Sequence, residues 1–229
     1  MTVPIFDPHA VPVISRDEYL PALGPERMTP AFLRQRFRDG ADWQPEIPGD
    51  GRMSDREPAQ ASVLVPLVMR EAGLSVLLTR RTAHLRAHAG QISFPGGRVE
   101  EHDFDPVATA LRETEEEVGL SHDFVEVIGH LPIYTTVTAF QVTPVVGLVR
   151  PGFTLTLDTF EVDEAFEVPL QFLMTPAHHQ RHQVDFEGGR RQFLSMPWTG
   201  PDAAGAQREY FIWGATAAML RNFYRFLSV

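Results

Sequence analysis

The stretch Gly97-Arg-Val-Glu-Glu-His-Asp-Phe-Asp-Pro-Val-Ala-Thr-Ala-Leu-Arg-Glu-Thr-Glu-Glu-Glu-Val-Gly-Leu120 decides how the rest of the chain is read. Asp105-Pro106 is a helix start, an acid at the N-cap with proline at the first helical position. Gly119 is a stop. A helix over 106–118 follows. At about 3.6 residues per turn, Val107, Ala110, Leu111, Thr114 and Val118 fall on one side. Thr109, Arg112, Glu113, Glu116 and Glu117 fall on the other. Glu113 and Glu117 are four residues apart, with Glu116 beside them, so like charges stack on one face. A solvated acidic face is one reading. A face that takes up a hard divalent cation such as Mg²⁺ is the other, because carboxylate oxygens suit such ions.

The flanks favour the second. The segment is similar to the Nudix box, G-x5-E-x7-R-E-U-x-E-E-x-G-U, where U is a bulky aliphatic residue. The C-terminal half matches at Arg112, Glu113, Glu116, Glu117, Gly119 and Leu120. Thr114 stands where an aliphatic residue is usual. The front end departs: Asp103 replaces the first glutamate, and its distance to Arg112 is one residue longer than the pattern. Upstream, Leu77-Leu78-Thr79-Arg80-Arg81-Thr82 through Arg86, Gly90 and Phe94-Pro95-Gly96-Gly97 resembles the signature of the coenzyme A pyrophosphatase branch, L-L-T-x-R-[S/T]-x3-R-x3-G-x3-F-P-G-G, at every defined position. Leu131-Pro132, Val142-Thr143-Pro144, Val168-Pro169-Leu170 and Ile212-Trp213-Gly214 are fainter echoes, so the resemblance spans about residues 60–229.

The resemblance implies an α+β fold, a Nudix-type α/β/α sandwich with a mixed sheet and the catalytic helix at 106–118. It implies Mg²⁺ or Mn²⁺ as cofactor, with Glu113, Glu116, Glu117 and the Gly97 carbonyl as ligands, and Arg112 as the orienting arginine. It further implies substrate contacts at Arg81, Arg86, Phe94, Gly96 and Gly97. The expected activity is cleavage of the pyrophosphate of CoA or acyl-CoA to 3′,5′-ADP and (acyl-)4′-phosphopantetheine. ADP-ribose, NADH or another nucleoside diphosphate derivative is the alternative substrate. A non-catalytic Nudix-fold binding module is the alternative of another class. For the proton acceptor, the box glutamates compete with Glu161 and Glu164, and Glu161 is preferred. His130 and His178 suit proton transfer chemically but read better as bystanders. His178, His179 and His182 cluster without a completing zinc ligand and read as a surface-loop accident.

Outward from this region, strands are expected at 61–69, 74–79, 124–131, 140–149, 153–157, 161–168, 192–196 and 209–213, with helices at 170–175 and 215–227. Residues 176–192 read as a polar loop. Residues 1–60 carry nine prolines, which break any long element. A short helix fits 29–38, starting at Thr29-Pro30. This extension either packs on the 61–229 domain or contributes to a homodimer; the sequence leaves both open.

Composition bounds the rest. The 229 residues fit one elaborated domain, and 43% hydrophobic content provides a core. Cysteine is absent, which removes disulfides, thiol catalysis and Cys-ligated metals. No apolar run approaches the roughly 18 residues needed to cross a bilayer, and Met1–Ala10 is no signal peptide. A net charge of −10 disfavours a general nucleic-acid surface. The expectation is a cytoplasmic enzyme of a small molecule.

Overall fold

The computed structural model describes residues 7–51, 57–84, 90–186, 189–202 and 204–229. In chain order the elements are β1 (Val13–Arg16), α1 (Pro30–Asp39), β2 (Ala59–Arg70), β3 (Gly73–Arg81), β4 (Ile92–Ser93), β5 (Gly96–Arg98) and α2 (Pro106–Val118). Then come β6 (Val125–His130), β7 (Tyr134–Thr135), β8 (Phe140–Val149), β9 (Val162–Pro169) and α3 (Leu170–Leu173). The chain closes with β10 (Gln180–Phe186), β11 (Gly189–Pro201), β12 (Gln207–Trp213) and α4 (Gly214–Ser228).

Among the described residues the strands form two sheets, one of eight and one of four. The larger is mixed and centres on β2. One edge of β2 runs parallel to β8, Ala59 to Val68 against Phe140 to Val149. Its other edge is shared, by β5 opposite Ala61–Val63 and by β3 opposite Leu67–Arg70. Pro66 sits at the gap between those partners. The Leu64 N–H points to Pro95 O on that edge (2.9 Å), so the Pro66 nitrogen, two residues on, faces the gap and its missing donor costs no ladder bond.

Side chains alternate across this sheet as the pleat requires. Leu64 and Val145 face α2 with Ala110, while Val68, Leu77 and Val149 pack with Val118 and Leu120. Val65, Leu67, Val76, Leu78, Val146 and Leu148 face the opposite core, with Leu33 of α1 and Ala217, Leu220, Phe223 and Leu227 of α4. Burial on both faces explains why β2 is almost continuously apolar. This is an α+β arrangement with α2 on one face of a mixed sheet and α1 and α4 on the other. The four-stranded sheet, β1-β10-β11-β12, adds Leu194, Met196, Tyr210 and Ile212 to the α4 side.

Two expectations are corrected. Residues 176–192 are no surface loop: most of them build the β10–β11 hairpin, and His179 and His182 are buried. His182 meets Val11 O (2.9 Å) and Ser195 Oγ (2.7 Å) and stacks on Phe193. His178 stacks on Phe172. Residues 153–157 form no strand. They run extended along the end of α2, where Thr156 N–H and Asp158 N–H donate to the Val118 and Glu117 carbonyls (both 2.9 Å). Their hydrogen bonds serve a helix terminus rather than a sheet. The N-terminal residues Leu23, Met28 and Leu33 belong to the main core, and β1 pairs with β10. No helix of the described residues is long and apolar enough to cross a membrane.

Candidate active site

The helix that carries the acidic residues is fixed at both ends. Asp105 Oδ1 accepts from Ala108 N–H (2.7 Å), and Gly119 takes the left-handed conformation (φ +69°), donating to Glu115 O (2.9 Å). The turn before it brings backbone against its face. A Cβ on Gly97 would lie 2.3 Å from Glu113 Oε2, so any side chain there would push that carboxylate from its position. Gly96 has φ +150° and lies tight against Ser62 O.

The glutamates of this helix do not all point one way. Glu117 is 5% exposed and accepts from Gly96 N–H (3.2 Å). Glu113 is partly buried, and Glu116 lies largely in solvent, its side chain 62% exposed. Thr109, expected on the polar side, is buried. Desolvation raises the Glu117 pKa to about 7, opposed by Gly96 N–H and Arg81 and reinforced by Glu161 and Glu113. Desolvation also raises Glu113, against the pull of Arg112.

Arg112 is the hub. Its Nε and Nη2 hold both oxygens of Asp103 (3.0 and 2.8 Å), while Nη1 donates to Glu113 (2.9 Å) and Glu116 (3.1 Å). Nη2 also reaches Arg98 O (3.1 Å). The Asp103 side chain is 3% exposed and also accepts from Glu100 N–H and Thr109 Oγ1 (both 2.9 Å). Arg112 holds its carboxyl well below the usual range, and Asp103 in turn raises Arg112. The acid that departs from the general box is thus the partner that aims the arginine. The lengthened spacing to Arg112 was the sequence signal for it.

Arg81 enters from the end of β3, 3.5 Å from Glu117 Oε1 and 3.6 Å from Glu161 Oε2. Glu161 therefore joins the helix carboxylates, with its side chain 43% exposed. The other expected residues fall elsewhere. Phe94 is buried in the main core, because its position in the turn faces the α4 side. Glu164, the other distant candidate for proton acceptor, is buried and bound by Arg80 (3.1 Å), Arg208 (3.2 Å) and Tyr210 OH (2.8 Å). His130 sits on β6 with its ring toward Leu131 O. Arg86 lies outside the described residues.

Among the described residues no three His, Asp or Glu side chains converge on one metal position. Arg112 holds Glu113 and Glu116, while Glu117 turns inward. The donors on this helix face are all carboxylate oxygens, the type that suits a hard divalent cation.

The NUDIX domain pattern matches residues 58–184. The chain belongs to the Nudix family. Among its relatives is the uncharacterized Nudix hydrolase NudL of Shigella flexneri serotype 5b (strain 8401), 42% identical over 173 residues, which cover 73% of this chain and 84% of that one. The NudL of Escherichia coli (strain K12) is 42% identical over 165 residues, 71% of this chain and 80% of that one. Among solved structures, a C. elegans Ap4A hydrolase binary complex superposes on 51% of this chain and 85% of that chain, with 19% identity and a TM-score of 0.43. This Nudix hydrolase acts on nucleoside diphosphate derivatives, and members of the family use divalent cations.

Proposed function

We propose that the protein hydrolyses the pyrophosphate of CoA or acyl-CoA, releasing 3′,5′-ADP and 4′-phosphopantetheine or its acylated form. The observation that carries this is Arg81. It is a defined position of the CoA-branch signature, and it stands beside Glu117 and Glu161, where a guanidinium can pair with a diphosphate oxygen. Glu113, Glu117, Glu116 and the Gly97 carbonyl are the residues to hold Mg²⁺ or Mn²⁺. When bound, such an ion neutralises diphosphate oxygens and acidifies water.

The chain's own residues do the rest. Arg112 fixes the Glu113 carboxylate while Asp103 fixes Arg112. Arg81 orients the diphosphate. Glu161, the most solvent-accessible acid touching Arg81, accepts the proton of the attacking water. Water's oxygen forms the new bond to phosphorus as the bridging P–O bond breaks. The test is product analysis with CoA, dephospho-CoA and ADP-ribose in Mg²⁺ and in Mn²⁺. The expected result is preferential cleavage of CoA to 3′,5′-ADP, lowered at least about tenfold in kcat/KM by Arg81→Ala. Equal or faster turnover of ADP-ribose would refute the CoA assignment.

A further inference from the structure

Two aromatic residues lie in the segments that deliver Arg81 and Glu161 to the carboxylate cluster, with no role in it. Phe160 immediately precedes Glu161, and His84 follows Arg81 by three residues. Phe160 is 65% exposed, a poor position for a large apolar ring unless something covers it. The ring centroids of His84 and Phe160 are 5.0 Å apart at an interplanar angle of 60°.

The backbone under Phe160 is pinned on both sides. Its N–H donates to Asp158 Oδ1 (2.9 Å), and its carbonyl accepts from Thr82 Oγ1 (2.8 Å). Asp158 N–H donates to Glu117 O (2.9 Å), and Thr82 N–H to Glu161 O (2.9 Å). The backbone that carries the exposed ring is therefore fixed to the end of the acidic helix and to the strand that delivers Arg81. Phe104, at 88% exposed, has no ring neighbour among the described residues.

We propose that Phe160, with His84 beside it, is a stacking subsite for the base of the nucleoside diphosphate substrate. This rests on reading the carboxylate cluster as the diphosphate site. Arg81 contacts Glu161, the residue next to Phe160, so a diphosphate held at Arg81 has its nucleoside within reach of the ring. The subsite takes a planar heteroaromatic group rather than an alkyl chain. It offers an open aromatic face and an imidazole at an angle to it, and every base has a π-face to place there.

The probe is 1,N6-ethenoadenosine diphosphate, whose fluorescence reports stacking, titrated in Mg²⁺ buffer with the wild type and variants. The wild type and Phe160→Tyr quench it. Phe160→Ala and Phe160→Leu weaken binding by roughly tenfold or more and lose the quench. The exposure of the position keeps all three variants folded, which thermal melts check. Unchanged affinity in Phe160→Ala overturns the subsite. Wild-type behaviour of Phe160→Leu overturns stacking in favour of a plain apolar contact. A Phe160→Ala defect confined to acyl-CoA, with ethenoadenosine diphosphate binding intact, overturns the assignment to the base. Intact quenching together with no hydrolysis of CoA supports the subsite and counts only against the proposed substrate.

Discussion

Glu117 shows how a single carboxylate can work against the fold that holds it. Its pKa is raised from the ordinary 4.5 to about 7 in the folded protein. The fold therefore prefers the protonated form. Stability from this group is greatest below pH 4.5, falls as pH rises toward 7, and stays low above it. Glu117→Gln removes that cost. In EDTA at pH 8 the variant is expected to be more stable than the wild type by about 1–3 kcal/mol, a few degrees in Tm, while its activity falls at least about a hundredfold. Mg²⁺ should then raise the Tm of the wild type and leave the variant nearly unmoved; equal shifts would remove Glu117 from the cation site. At Asp103 the expectation is reversed. Asp103→Ala takes away the two-pronged partner of Arg112 and leaves it only Glu113, Glu116 and Arg98 O, costing on the order of 1–2 kcal/mol, and lowers kcat because the arginine that holds Glu113 is no longer aimed. Denaturant melts and steady-state kinetics on the same preparation check both effects.

At the scale of elements, the turn ahead of α2 matters as much as the helix. Gly97→Ala drives a methyl into Glu113, and the expected result is at least about a tenfold loss of kcat with only a modest fall in Tm, since the helix keeps its Asp105 cap and Gly119 stop. Activity within twofold of wild type would show that Glu113 does not depend on that approach. The same helix shows what a sequence reveals. Its limits, Pro106 and Val118, follow from local signals: an acid cap, a proline and a glycine. Apolar runs likewise disclose β2, β3 and β8. What stayed hidden was whatever depends on a distant partner. The Phe153–Leu157 alternation looks like a strand, but its Thr156 N–H, and the Asp158 N–H just beyond it, are taken by the end of α2. The β10–β11 hairpin looks polar because its inward positions include His182, whose ring is buried with both nitrogens bonded. The carboxylates of Glu116 and Glu117 are neighbours in sequence, yet Arg112 and Gly96 N–H draw them apart.

Across the whole molecule, the N-terminal residues are tied to the C-terminal helix by a buried ionic network. Arg221, 1% exposed, donates to Glu46 (2.7 Å) and lies 3.1 Å from Asp17, while Arg181 grips both oxygens of Asp17 (2.7 and 2.9 Å). Arg221 Nη1 also meets His179 Nδ1 (3.1 Å). A guanidinium only donates, so Nδ1 accepts, and the ring's proton sits on Nε2 facing Leu173 O (2.8 Å). Burial lowers the His179 pKa to about 4. The unfolded chain takes up this proton near pH 6.5 and the fold resists it, so stability is complete above that value and drains away as pH falls toward 4. Up to about 3 kcal/mol is at stake. Urea midpoints at pH 7.5 and 5 should differ more in the wild type than in His179→Gln; equal differences would assign acid lability to other groups.

The shared edges of β2 also set an order of assembly. β5 and β3 lie near β2 in the chain, but its parallel partner β8 arrives some 80 residues later, after α2. Parallel strands so far apart close slowly, because loop entropy is lost before the ladder forms. During synthesis, then, the acidic helix emerges before the strand that completes the sheet beneath it, and its mutual repulsion is unrelieved in that interval. The candidate site on that helix is therefore expected to be among the last parts to become compact, and a divalent cation present during refolding is expected to speed the final phase, which stopped-flow refolding with and without Mg²⁺ checks.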